Sequence, residues 1–314
     1  MNAAPMNTPA ATTEAGDVPQ SNLEREHPMP KDGNTIFYAE PHIYIHNRIP
    51  ARTSVTKMLK NYWPEFDAQE VISTNFARWK NQKNNKYSAL IRYLQLVQGK
   101  DDRFCKEAIE QFWKAEADEA SKAGTCMHAH FQCEVEGWPL PDDETVELRI
   151  FRRWIADFCK FHDLTVWRSE WCIVHEYSGV PVVAGQVDLL LKCKKDNSFW
   201  AVDYKRTSPV PKYVGGPQNI LNSKMIAFEN GRGPFGRIQA TDFNKYTAQL
   251  NAYGYIANEN YGIDFRDRMF VVQIHPLLTE AHCVHVSRMD EQMHSIFRLE
   301  EAIQIQAVLG EFQT

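Results

Sequence analysis

The sequence predicts an α/β fold: a central mixed β-sheet with helices on both faces, preceded by a largely helical part. Three observations predict it. Apolar residues recur at helical spacing before Gly137 (Ile109, Phe112, Trp113, Ala117, Ala120), and the pattern repeats from about Asp143 to His162. At Leu164 the texture changes to the β-rich runs LTVWRSEWCIVHE, VPVVAGQVDLLLKC and SFWAVDYKRT, separated by turn signals at Tyr177-Ser178-Gly179 and Lys195-Asp196-Asn197. A helix-like run from Asp242 to Tyr261, stopped by Gly262, then leads to the strand-like runs MFVVQIHP and HCVHVSR and a last helix.

Taken in order, residues 1–34 are rich in Ala, Pro, Thr, Asn and Glu without apolar periodicity, which predicts a disordered tail. The folded domain is expected over 35–314, divided into a mainly helical part (35–163) and a sheet core with C-terminal helices (164–314). FYAEPHIYIHNRIPARTSVT alternates around His46-Asn47, the pattern of a hairpin, and Ser54 or Thr53 is placed to cap a following helix. The three runs after Leu164 read as an antiparallel meander. From Ser208 to about Ala240 the chain is Pro- and Gly-rich and too long for an ordinary connection, which predicts a functional lid or a mobile loop.

Composition narrows the class. With 314 residues, 43% of them apolar, the chain can bury a sizeable core, while no run approaches the length of a membrane span. There is no basic-then-apolar leader, and Glu14 and Asp17 precede the first Arg, at position 25. Seven cysteines with no Cys-x-x-Cys pair fit reduced thiols. An intracellular globular protein is expected. The net charge of -5 is uninformative about nucleic acid, but basic residues outnumber acidic ones from Lys192 to Lys245, which permits a local basic surface.

One constellation carries chemistry. A hairpin closed at Lys195-Asp196 sets Asp188 opposite Asp203, with Cβ atoms roughly 5 Å apart. Two carboxylates so placed repel unless a cation lies between them, and a hard, oxygen-preferring ion such as Mg²⁺ would resolve the conflict. Strand alternation points Lys205 the same way as Asp203 and turns Val202 and Tyr204 to the other face. Such a trio suits phosphodiester hydrolysis, the cation activating water and the ammonium stabilising developing charge. A surface ion cluster on a polar sheet face is the competing reading.

GQVDLLL followed by WAVDYKR resembles the Asp and Asp-x-Lys signature of the PD-(D/E)XK nuclease superfamily. Gly124-Thr125-Cys126-Met127-His128 and Gln249-Leu250-Asn251-Ala252-Tyr253 resemble the flanking Gly-Thr-x-x-His and Gln-x-x-x-Tyr elements of its RecB-like exonuclease branch, in the family's order. The resemblance implies a restriction-endonuclease-like core and a metal-dependent nuclease hydrolysing DNA. It implies His128, Asp188, Asp203 and the Tyr204 carbonyl as metal ligands and Lys205 as the catalytic lysine, with Glu170 at an acidic position on the preceding strand. Mg²⁺ is the implied cofactor, with Mn²⁺ able to substitute. Gln249, Tyr253, Arg206 and Lys245 are the expected substrate contacts.

Exonuclease action in DNA repair, recombination or replication follows from the same resemblance, with endonuclease action and a non-catalytic DNA-binding module as alternatives. Cys283 is the only cysteine after the Gln-x-x-x-Tyr helix, so no iron-sulfur cluster of the kind some relatives carry is expected. The chain has no Walker-type phosphate loop, so any helicase or recombination protein would be a separate partner. Gly124, one helical turn before His128, is expected to permit close approach of the facing strands. Lys212, Lys224, Arg232 and Arg237 offer phosphate contacts, and Tyr213, Phe228 and Phe235 offer stacking surfaces. A rival site is zinc on Cys126, His130 and Cys133, which share a helical face but lack a fourth ligand and any ligand from a turn; buried thiols are the competing explanation.

Overall fold

A computed structural model describes residues 21–39, 41–82, 85–209 and 225–311. After α1 (Asn22–Glu26), strands β1 (Thr35–Tyr38), β2 (Ile43–His46) and β3 (Ile49–Pro50) form a small antiparallel sheet. Asn47 and Arg48 turn the chain between β2 and β3 with φ of 50° and 68°, the left-handed pair that matches strand twist in a two-residue hairpin. β4 (Thr53–Ser54) follows, and Ser54 Oγ accepts from Lys57 N–H at 3.3 Å to cap α2 (Val55–Lys60). Helices α3 (Ala68–Asn81), α4 (Lys86–Arg92), α5 (Asp102–Glu136) and α6 (Val146–His162) complete the N-terminal half.

The second half supplies most of a central mixed sheet. β5 (Leu164–Tyr177), β6 (Val180–Cys193) and β7 (Phe199–Lys205) form the expected antiparallel meander. β8 (Met225–Asn230) and β9 (Gln239–Thr241) pair separately, followed by α7 (Asp242–Tyr261). β10 (Met269–Gln273) runs parallel to β7, β11 (His282–His285) antiparallel to β10, and α8 (Asp290–Glu311) closes the order. Thr241 caps α7 through Asn244 N–H, and Gly262, at φ 67°, ends it.

Period-two alternation sorts the strand residues into two cores. Leu190, Ala201 and Val271 pack against α2, α7 and α8. Leu189, Leu191, Val202, Tyr204 and Val272 pack against α5 and α6 on the other face. A satellite core joins α3, α4 and the first half of α5 through Ile72, Phe76, Trp79, Ile91 and Ile109. The helix expected from Lys106 is thus part of one 35-residue element, about 52 Å long, serving two cores. Between them, Lys114 to Lys122 is exposed on every side.

Two expectations are corrected here. Residues 21–34 are not a free tail: Leu23 is buried, its N–H donates to Glu136 Oε2 at 3.1 Å, and Arg168, fully buried, donates to the Leu23 and His27 carbonyls and to Asp32 Oδ2 at 2.7 Å. Anchors more than a hundred residues away leave no local pattern. The 208–240 segment is also not uniformly loop, since 225–241 holds β8, β9 and the turn Gly233–Phe235; its 210–224 part lies outside the described residues. Replacing Arg168 with Ala would take away the cation paired with Asp32 and one donor each from the Leu23 and His27 carbonyls, leaving Asp32 with the Met29 N–H and Leu23 with the His27 N–H. The variant is expected to lose about 3–5 kcal/mol of stability in urea unfolding, and a loss below about 1 kcal/mol would contradict the clamp.

Candidate active site

The meander brings three acids into a row. Ser169 faces Leu189 and Trp171 faces Val187, so Glu170 stands opposite Asp188; Leu189 faces Val202, so Asp188 stands opposite Asp203, as the hairpin predicts. The β6 edge that faces away from β5 is shared by two strands, β4 at Val183–Ala184 and β7 from Leu189 to Lys192. Asp188 lies in the gap between them, where its Oδ2 accepts the Tyr204 backbone N–H at 2.7 Å.

His128 reaches this row from α5. Its Nδ1 donates to Glu170 Oε1 at 3.1 Å and lies 3.7 Å from Asp188 Oδ1. One ligand atom each from His128, Glu170 and Asp188 falls within 4.8 Å of the other two. Glu170 takes φ 48°, a left-handed conformation costing on the order of 1–3 kcal/mol for a residue with a Cβ, and Gln186 Nε2 holds its carbonyl at 3.0 Å.

Across the row, Lys205 Nζ lies 2.7 Å from Asp203 Oδ2, donates to Gln249 Oε1 at 3.3 Å and sits 4.9 Å from the centre of the Tyr246 ring. Gln249 Nε2 in turn donates to Tyr253 Oη at 2.8 Å. Tyr253 fits because residue 185 is glycine: a Cβ there would come within 2.5 Å of the ring. A cavity of 540 Å³ opens beside Gln249 and Tyr246, walled by Leu59, Trp63 and Phe66 and flanked by Lys60 and Lys245.

The charges are strongly coupled. Burial raises the Asp203 carboxyl to about 6, Lys205 opposes the rise and Asp188 adds to it. Burial also raises Asp188, against the pull of His128. Burial disfavours the charged imidazole of His128, but Asp188 and Glu170 outweigh it and lift the group to about 9. Lys205 is raised because Asp203 and Asp188 outweigh burial, so it stays cationic at neutral pH. Asp203 Oδ1 is buried and accepts no hydrogen bond among the described residues, the kind of orphaned oxygen that a cation satisfies. The donor set of His nitrogen and carboxylate oxygens fits a hard divalent ion. Ligation would require His128 to release its proton.

Most of the expected site residues converge, and several expectations change. Tyr253 is buried, so it positions Gln249 rather than touching substrate. Arg206 Nε donates to Glu147 Oε1 at 2.8 Å, and Lys245 Nζ lies 3.8 Å from Asp242 Oδ1 at the cavity. Tyr204 contributes its N–H, while its ring meets the stacked Phe131–Phe151 pair edge-on. A Cβ on Gly124 would meet nothing within 4 Å; the close approach is at Gly185. Phe235 is fully buried, its ring centre 4.9 Å from that of Trp63, and offers no stacking surface. Lys212, Tyr213 and Lys224 lie outside the described residues. Gln186 and Gly185 carry no motif; for Gly185, a glycine inside a strand pattern is the available signal.

No family model matches the chain, and no curated protein matches it. Among solved structures, it is similar to a crystal structure from Eubacterium rectale of a protein provisionally named an exonuclease. The TM-score is 0.35 and the identity 13%, over 82% of this chain and 80% of that one. Likeness at that level decides neither fold nor function. Among the described residues, no helix is long and apolar enough to cross a membrane.

The raised Asp203 carboxyl gives the site a pH signature. At neutral pH its charged form costs stability, a cost relieved by protonation as pH falls through about 6 or by a cation above it. Mg²⁺ or Mn²⁺ at about 100 times its dissociation constant is expected to stabilise the fold by about 2.7 kcal/mol at pH 7.5. The thermal shift should shrink as pH falls below about 9, where His128 keeps its proton, shrink more steeply below about 6, and be lost in Asp203→Asn. A shift that ignores both pH and this substitution would place the cation elsewhere.

Proposed function

We propose that the chain is a divalent-metal-dependent nuclease of the PD-(D/E)XK type, of the RecB-like branch, hydrolysing phosphodiester bonds of DNA. The observation that carries the reading is the buried Asp203 carboxylate, opposite Asp188, with one oxygen against Lys205 and the other without a hydrogen-bond partner among the described residues. Burying like charges this way is costly unless a cation and an anionic substrate complete the arrangement. His128, Asp188 and Asp203, with the Tyr204 carbonyl as a further candidate, would hold Mg²⁺ or Mn²⁺, which supplies an activated water and charge stabilisation on the phosphoryl oxygens.

The chain's own residues divide the remaining work. Lys205, kept cationic by Asp203 and Asp188, stabilises negative charge at the reacting phosphate and is a poor proton acceptor at neutral pH. Gln249 fixes the ammonium's direction, and Tyr253 fixes Gln249. Glu170 orients His128 through Nδ1. Lys60 and Lys245 flank a cavity continuous with Gln249, and to neutralise the phosphates of a bound strand they would exchange their present partners, Glu65 and Asp242. Exonuclease action is the reading within this proposal.

The purified protein with Mg²⁺ or Mn²⁺ should shorten end-labelled linear DNA and spare circular DNA. Asp188→Ala and Lys205→Ala should bind the same DNA and cut it at least about 10²-fold more slowly. Intact DNA in every form tested with the wild type, at bound saturation, would leave a binding module instead. Tyr253→Phe removes only the hydroxyl that accepts from Gln249. It should lower turnover about 10- to 100-fold with little change in KM, whereas a direct substrate contact would show itself in KM.

A further inference from the structure

A second cluster of metal-competent side chains lies on α5, two residues either side of His128 in sequence. Cys126 and His130 are one helical turn apart, and the connection from α5 to α6 brings Asp142 against them; one ligand atom from each falls within 4.8 Å of the other two. His130 is fully buried. Its Nε2 meets Asp142 Oδ1 at 2.5 Å, and its Nδ1 lies 3.5 Å from Thr145 Oγ1. The Thr145 hydroxyl already caps α6 by accepting from Leu148 N–H at 3.2 Å and retains a lone pair for Nδ1–H. That tautomer frees Nε2 to act as a ligand toward Asp142 and Cys126.

We propose that Cys126, His130 and Asp142 form a zinc site distinct from the Asp188–Asp203 centre, with water as fourth ligand. Sulfur, imidazole nitrogen and carboxylate oxygen are the ligand types zinc combines in one tetrahedral shell, and a thiolate selects it over Mg²⁺. Bonds of about 2.0–2.3 Å to such ligands require them to stand roughly 3.3–3.8 Å apart. Asp142, exposed in the α5–α6 connection, is the group free to make that adjustment. The sequence alone offers Cys133 as the third ligand; the fold replaces it with Asp142, supplying the ligand from a turn that the helix-only arrangement lacks. Zinc here would fasten α5 to the α5–α6 connection beside His128 and leave the nuclease centre to a harder ion.

Cobalt(II) separates the two centres, because a thiolate ligand gives a sulfur-to-metal charge-transfer band in the near ultraviolet and oxygen and imidazole ligands do not. The full chain titrated with Co²⁺ should show this band, at one cobalt per chain, and Zn²⁺ should abolish it. Asp188→Ala and Cys133→Ser should keep the band, Cys126→Ser should lose it, and Asp142→Ala should weaken Co²⁺ binding at least about 10-fold. Circular dichroism matching the wild type shows that each variant is folded, and Cys126 and Asp142 sit away from full burial. No band in the wild type, a band that survives Cys126→Ser, or one that disappears in Cys133→Ser would each overturn the assignment. None of these readouts depends on DNA cleavage.

Discussion

Repulsion between Asp188 and Asp203 is the interaction around which this fold is arranged. Both carboxylates are buried, on neighbouring strands, at the level where the β6–β7 ladder gives out. The surrounding groups each answer part of that charge: the Tyr204 N–H and His128 at Asp188, the Lys205 ammonium at Asp203. What they leave is one oxygen of Asp203, and with it the case for a cation. A core of this size could have been closed with apolar residues at less cost. The carboxylates make physical sense as parts of a site rather than of a scaffold.

The supports extend outward in a chain of single contacts. Gly185 admits the Tyr253 ring, Tyr253 accepts from Gln249, and Gln249 accepts from Lys205. On the other side Gln186 steadies the strained Glu170 backbone, and Glu170 orients His128. Gly185 and Gln186 adjoin in β6, so one strand anchors both arms of the site. The side chains of the candidate site are therefore fixed by backbone features as much as by one another.

What was legible in the sequence follows the range of the interactions that create it. The β6–β7 register and the C-terminal end of α7 rest on alternation, a turn and a glycine stop within a few residues, and these are readable. The convergence of His128, Glu170 and Asp188 was readable only through motif resemblance, since three separate elements supply them. The docking of residues 21–34 depends on Arg168 and Glu136, far along the chain, and so leaves no trace in local composition. Phe235 illustrates the same limit: an aromatic in a Gly- and Pro-rich stretch looks available, but Trp63 and the core around it take it in. Asp142 belongs to no sequence motif, because only the fold sets it beside His130.

The bare stretch of α5 from Lys114 to Lys122 carries one more consequence. A helix held by a core at each end, its middle without a buried side chain and tied by the surface Lys86–Glu116 ion pair at 3.4 Å, has two stabilities rather than one. Amide hydrogens in the satellite half can exchange through opening of α3 and α4, whereas those around His128 exchange only when the sheet itself gives way. Protection should therefore rise in a step along a single unbroken helix, so that the end bearing the imidazole belongs to the last unit to unfold and the distal end to an earlier one.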